Sequence, residues 1–146
     1  MPLIPLPHHS EPLVDLNTGL LTDTWLRFLR LAADDPLRYS NGALALVNGV
    51  NSNVSLPRAR FITISGPTGA FSISGFAVSS PVDPAREVIL YNATTQAMTL
   101  TNDATSTAAN RILTMTGSDV ATTGTGTATL VYSTVSSRWV LTGLQT

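Results

Sequence analysis

The chain has 146 residues, is 43% hydrophobic and only 12% charged, and contains no cysteine; it is sized for a single domain with a real core, and disulfide or thiolate chemistry is excluded. Its eight basic residues are all arginine and its formal net charge is −1, which leaves no lysine for a phosphate-cradling Gly-rich loop and no basic stripe for nucleic acid. Serine and threonine together number 35, so polarity is carried by hydroxyls and not by charge.

The chain opens "MPLIPLPHHSEPL". It has neither the positive start nor the continuous apolar run of a secretory signal, and no later segment is apolar for the roughly 20 residues that span a bilayer. A soluble, unprocessed chain is expected, with no membrane insertion. Pro2, Pro5, Pro7 and Pro12 fix φ and remove N–H donors, which predicts an extended arm over residues 1 to about 19. Leu3, Ile4, Leu6, Leu13 and Val14 are too apolar for a solvated tail, so this arm needs a surface to lie on.

Residues 21–36, "LTDTWLRFLRLAADDP", carry the signals of one short α-helix: Thr22 or Asp23 as N-cap, arginines later, and a proline at the end. Leu21, Trp25, Phe28, Leu29 and Ala32 share one face at helical spacing. A helix of about three turns does not persist without packing. The division predicted is an arm-and-helix segment over 1–42 and a β knob over 43–146.

From residue 43 the pattern becomes short alternating segments separated by turn residues, which predicts a mainly β, antiparallel sandwich or barrel-like knob. "ALALV" and "VNSNV" flank Asn48-Gly49, the strongest short hairpin signal. "RARFITIS" and "AFSISGFAV" flank "GPTG", and "EVILYN" and "AMTLTN" flank "ATTQ". "NRILTMTG" and "TATLVYS" are joined through "SDVATTGTG", and the last strand, "SRWVLTG", follows a turn at 134–137. Alternation places Met98 and Leu100 opposite Thr99 and Thr101, and Leu113 and Met115 opposite Ile112, Thr114 and Thr116. One face packs and the other presents hydroxyls. No segment repeats faithfully at a period of about 20 to 50 residues, which speaks against a solenoid. From Val88 to Thr146 only Asp103, Arg111, Asp119 and Arg138 carry charge, so the strand edges lack the lysines that discourage strand addition. Oligomerisation is the expected consequence.

The residues that do chemistry are sparse. His8 and His9 are adjacent in the arm, where extended backbone points their rings apart, and Glu11 and Asp15 do not complete a metal site. Asp83, Glu87, Asp103 and Asp119 fall in or beside turns, where acids are common, and no pair of them is singled out for glycoside cleavage. No catalytic residue, metal or cofactor is assigned, and the chain is not read as an enzyme. Asn53-Val-Ser and Asn92-Ala-Thr match the glycosylation acceptor pattern and are read as accidental in so hydroxyl-rich a chain. Tyr132 and Trp139 offer either a sugar-stacking platform on the knob surface or cross-strand aromatic packing in the final hairpin, the second being the commoner arrangement.

The C-terminal third, "VILYNATTQAMTLTNDATSTAANRILTMTG" followed by "ATLVYSTVSSRWVLTG", resembles the terminal knob modules of surface proteins of tailed bacteriophages: tail fibres, tailspikes and trimeric capsid decoration proteins. The features that carry it are Asn92, the "TLTN" strand, Asn110-Arg111-Ile112, Gly117 and the Tyr132–Trp139 hairpin. Residues 12–32 resemble the leader of small phage structural proteins, with Leu16 and Leu20 where charged residues often stand. The resemblance implies a homotrimer of β-sandwich knobs attached to a virion through the N-terminal segment. Leu3, Ile4, Leu6, Leu13, Val14, Trp25, Phe28 and Leu29 are then the attachment candidates. The leading functional expectation is a capsid decoration, or cement, protein on the virion surface, assembled in the host bacterial cytoplasm and bound to itself and to the major capsid protein or another virion protein. The alternative is a short neck or tail fibre whose knob binds a host surface glycan through Tyr132 and Trp139. A free carbohydrate-binding module or hydrolase fragment stands third.

Overall fold

The computed structural model describes residues 12–15, 18–20, 22, 25, 40–78 and 86–146. The chain divides into two compact units, Met1–Arg38 and Tyr39–Thr146. In the first, the described residues do not form the extended arm expected there. The chain doubles back: Asp15 N–H donates to the Leu20 carbonyl at 2.8 Å and Thr22 N–H to that of Leu13 at 3.2 Å. The Asp15 carboxylate caps the turn by accepting from Thr18 N–H, and Gly19 supplies the positive φ of 69° that the reversal requires. Trp25 has helical backbone and is half-buried. Phe28 and Leu29 of the expected helix lie outside the described residues, as do Leu3, Ile4 and Leu6.

The second unit is mainly β. Its strands are β1 (Asn41–Ala45), β2 (Gly49–Asn51), β3 (Phe61–Ser65), β4 (Phe71–Ile73), β5 (Glu87–Asn92), β6 (Met98–Leu100), β7 (Ile112–Leu113), β8 (Val120–Ala121), β9 (Gly126–Ser133) and β10 (Arg138–Gln145). They form a six-stranded sheet in the order β1-β3-β5-β9-β10-β7 and a four-stranded sheet in the order β2-β4-β6-β8. Consecutive strands from β1 to β6 therefore alternate between sheets. β1, β3 and β5 run parallel, as do β2, β4 and β6.

This overturns the hairpin reading for the first half of the unit. Asn48-Gly49, "GPTG" and "ATTQ" are corners at which the chain leaves one sheet for the other. It also overturns the reading against a solenoid, because the chain winds in successive coils stacked on one another. Asn41 lies opposite Phe61 and Phe61 opposite Ile89, offsets of twenty and twenty-eight residues. Only after β6 does the winding end in antiparallel pairing, β6 with β8, β5 with β9 and β9 with β10. The expected β9–β10 hairpin through residues 134–137 is present.

Stacking aligns inward side chains in rows that cross the coils. Gly42, Ile62, Leu90 and Ala128 form one row, and Leu44, Ile64 and Asn92 another. In the smaller sheet Phe71 lies beside Met98, and Asn51, Ile73 and Leu100 form a row. Both sheets contribute to one hydrophobic cluster that also holds Phe76, Leu130, Tyr132, Trp139 and Leu141. The expected facing of Met98 and Leu100 is found, since both are fully buried. In the 112–116 stretch the faces are exchanged: Ile112 and Thr114 are buried while Met115 is 68% exposed. Thr114 tolerates the interior because its hydroxyl donates to the Ser118 carbonyl at 2.7 Å.

Corners between coils are closed by side-chain amides and hydroxyls. The Asn48 carboxamide oxygen accepts from Thr68 and Gly69 N–H at 2.9 and 3.0 Å, which ties the first corner to the second. Asn51 donates to the carbonyls of Val47, Gly49 and Ser72. Buried Asn92 donates to the carbonyls of Gln96 and Gly124, both at 2.8 Å, and accepts from Thr94 N–H and Oγ1. Ser52, Ser74 and Ser106 form a hydroxyl ladder at 3.0 and 2.9 Å. Glycine is needed where backbones meet. A Cβ on Gly66, whose φ is 105°, would strike the Leu46 carbonyl, and one on Gly75 would strike that of Asn110.

Replacing Asn92 by Ala removes the buried amide that binds the Gln96 and Gly124 carbonyls and accepts from Thr94 N–H. The expected loss is roughly 2 to 4 kcal/mol of unfolding free energy, read as a lowered denaturant midpoint with an unchanged slope.

Candidate assembly surface

Both sheets end on the same coil. β1 and β2 are the terminal strands of their sheets, and among the described residues no strand pairs with their outer sides. In the first sheet, the Ser40 carbonyl accepts from Phe61 N–H and Leu46 N–H donates to Ser65, so even-numbered residues face β3. Alternation along the strand then turns the backbone groups of Asn41, Ala43 and Ala45 to the open side. In the second, Gly49 N–H donates to Ala70, and Asn51 accepts from Ser74 N–H, which turns Val50 outward. Val47 and Val50 are 65% and 62% exposed. Residues 40–56 hold no charged side chain. This is an open strand edge with apolar residues at its corner and none of the charges that usually blunt such an edge.

The opposite end is built differently. Its edge strands, β7 and β8, have two residues each. The outer side of β7 is covered, because Asn102 bridges to Ile112 and Asp103 N–H donates to the Ile112 carbonyl at 2.7 Å. Charges gather here. Asp103 Oδ1 lies 3.3 Å from Arg138 Nε and 3.6 Å from an Arg111 terminal nitrogen, and Arg111 Nε donates to the Ser106 carbonyl. Asp119 accepts from Asn102 N–H at 2.8 Å. The loop so fastened holds Asp103 and Thr105 at positive φ, 41° and 63°. For a β-branched threonine that is a strained backbone, kept in place by the contacts around it.

The other sequence-selected residues are accounted for as follows. Tyr132 and Trp139 are direct cross-strand neighbours, and both are buried, at 5% and 1% exposure. Their rings meet edge to face at 5.4 Å, Trp139 meets Phe76 at 5.7 Å, and Trp139 Nε1 donates to the Phe76 carbonyl at 3.0 Å. The surface platform considered for sugars is thereby corrected: a stacking site must offer a ring face to water, and these faces lie in the core. Glu87 pairs with Arg60 at 2.9 Å. Asn92 is fully buried, and the Asn53 carboxamide oxygen accepts from Thr107 N–H and the Asn110 amide, so both sequons serve the fold. His8, His9, Glu11 and Asp83 lie outside the described residues. Among the described residues no cluster of His, Cys, Asp or Glu has the makings of a metal site, and no helix is long and apolar enough to cross a membrane. Of the attachment candidates, Leu13 is exposed, while Val14 and Trp25 are half-buried.

The open edge of the first coil was the feature that sequence reasoning missed. Its signal was present as a run from Ser40 to Leu56 without charge, ahead of Arg58 and Arg60. Compared with known proteins, the chain matches no family model and no curated protein.

Two substitutions test these assignments. Trp139→Ala is expected to cost about 3 to 5 kcal/mol of stability through the cavity it leaves, seen as a lower thermal midpoint. At Asp103, asparagine keeps a residue type that tolerates positive φ and loses less than about 1 kcal/mol of exposed ion pairing. Alanine there adds a backbone cost of roughly 1 to 2 kcal/mol. Chemical denaturation of the two variants should rank D103A below D103N.

Proposed function

We propose that the chain is a self-associating structural protein, and within that class a homotrimeric decoration protein that binds and stiffens a phage capsid. The observation that carries the first part is the outer side of β1 and β2, an uncharged edge with which no strand pairs among the described residues and which would be an aggregation hazard if left bare. A closed oligomer is the ordinary way to cover it. The second part rests on the resemblance of residues 88–143 to phage knob modules and of residues 12–32 to phage leaders. An interior filled with aliphatic side chains, and polar groups spent on corner clasps, suit a protein whose work is to be rigid. The fibre alternative drew on Tyr132 and Trp139 as glycan contacts, and their burial removes that support.

Light scattering on the purified chain should return three times 15.4 kDa, against a monomer if self-association is wrong. In particles, quantitative mass spectrometry should find the chain in numbers comparable to the major capsid protein. A few copies per particle would assign it to the neck or tail, and absence from particles would end the virion reading.

A further inference from the structure

We infer that the uncharged first coil, residues 40–56, is the surface through which copies of this chain meet. The inference rests on the self-association proposed above and names the site that performs it. The occupant is a second copy of the same chain. Identical molecules bring identical charges to a symmetric contact, so a surface that meets its own counterpart does best with none. Residues 40–56 have none, whereas the far end of the same unit collects Asp103, Arg111, Arg138 and Asp119.

Two further observations suit this occupant. Val47 and Val50, exposed at 65% and 62%, flank the corner between β1 and β2. Around a rotation axis the same corner of each copy comes to the centre, and small apolar residues there bury against their equivalents without a polar partner to satisfy. Beside them, the outward backbone groups of Asn41, Ala43 and Ala45 are placed to hydrogen-bond to a surface of the neighbouring copy, as an exposed sheet edge does. At the opposite end the fastened 102–111 loop covers the outer side of β7, and β7 and β8 have only two residues each, which offers further copies little edge to extend and favours association that closes.

The test uses the full chain. Val50→Lys changes an exposed side chain and so spares the core, but it places a hydrated ammonium in the contact. Light scattering over a dilution series should show its dissociation midpoint raised by at least about tenfold, while Met115→Lys, an equally exposed position at the other end, leaves the midpoint where it was. In the wild type, hydrogen exchange of the Asn41, Ala43, Ala45 and Val50 amides should slow only above the dissociation midpoint. An oligomer that ignores Val50→Lys overturns the inference and leaves self-association standing. So does protection of those amides that is the same at every concentration, which would mean that the edge is covered within one chain or by something other than a copy. A wild type that stays monomeric throughout, with those amides exchanging freely, overturns the inference and the proposed function together.

Discussion

Everything in the β unit depends on how a stacked coil closes its corners. A strand that leaves one sheet for another abandons its ladder partners, and the backbone groups at the bend need new ones. Here carboxamides and hydroxyls take that part. Asn48 reaches to the next corner, Asn51 holds its own bend and the neighbouring strand, and Asn92 spans two loops from inside the core. Asparagine suits the position because one short planar group both donates and accepts. A carboxylate could not donate, and a lysine or arginine could not accept. The low charge of the chain follows from this: groups that must be buried at corners have to be neutral.

The β character of the unit was legible in the alternation of "EVILYN" and "MTL", whose inward residues are the ones burial requires. What alternation does not encode is the partner. A hairpin and a coil corner use the same turn residues, and Asn48-Gly49 serves either. The choice between them lies in whether the next strand packs better on its predecessor or on the strand before that. Repeat length would have decided it, but the coils differ, with Asn41 opposite Phe61 and Phe61 opposite Ile89, and their inward rows mix glycine, leucine and asparagine. Only geometry is conserved from coil to coil, so self-comparison of the sequence finds no period. The final hairpin was legible because β9 and β10 are long, adjacent and joined by a short turn, leaving no competing partner.

The exchange of faces at residues 112–116 has a similar cause. Side-chain size argued that Leu113 and Met115 should be inside and Thr114 outside. Thr114 is inside because the Ser118 carbonyl and the Asn102 carboxamide oxygen both lie within reach as acceptors for its hydroxyl, and once it is satisfied its cost of burial falls to that of a small β-branched residue. The aromatic pair follows the opposite logic. Tyr132 and Trp139 are drawn inward by area, and the indole N–H does not object because the Phe76 carbonyl lies within 3.0 Å. In both cases a local hydrogen bond, invisible in the sequence, decides which face of the strand is interior.

The two ends of the stack answer the same problem in different ways, and the difference bears on function. A coil stack has to stop somewhere, and the strand at each end leaves a row of backbone groups without neighbours. At the C-terminal end the chain spends two-residue edges, a strained loop and most of its local charge on the closure. At β1 and β2 it spends none of these within the described residues, although arginines occur soon afterwards at positions 58 and 60. An edge guarded at one end and without a paired strand among the described residues at the other is costly for a molecule that works alone, since an uncovered edge invites uncontrolled pairing. It costs nothing to a molecule whose neighbour arrives there in a fixed orientation, and that asymmetry is the strongest physical reason to read this chain as one part of an assembly.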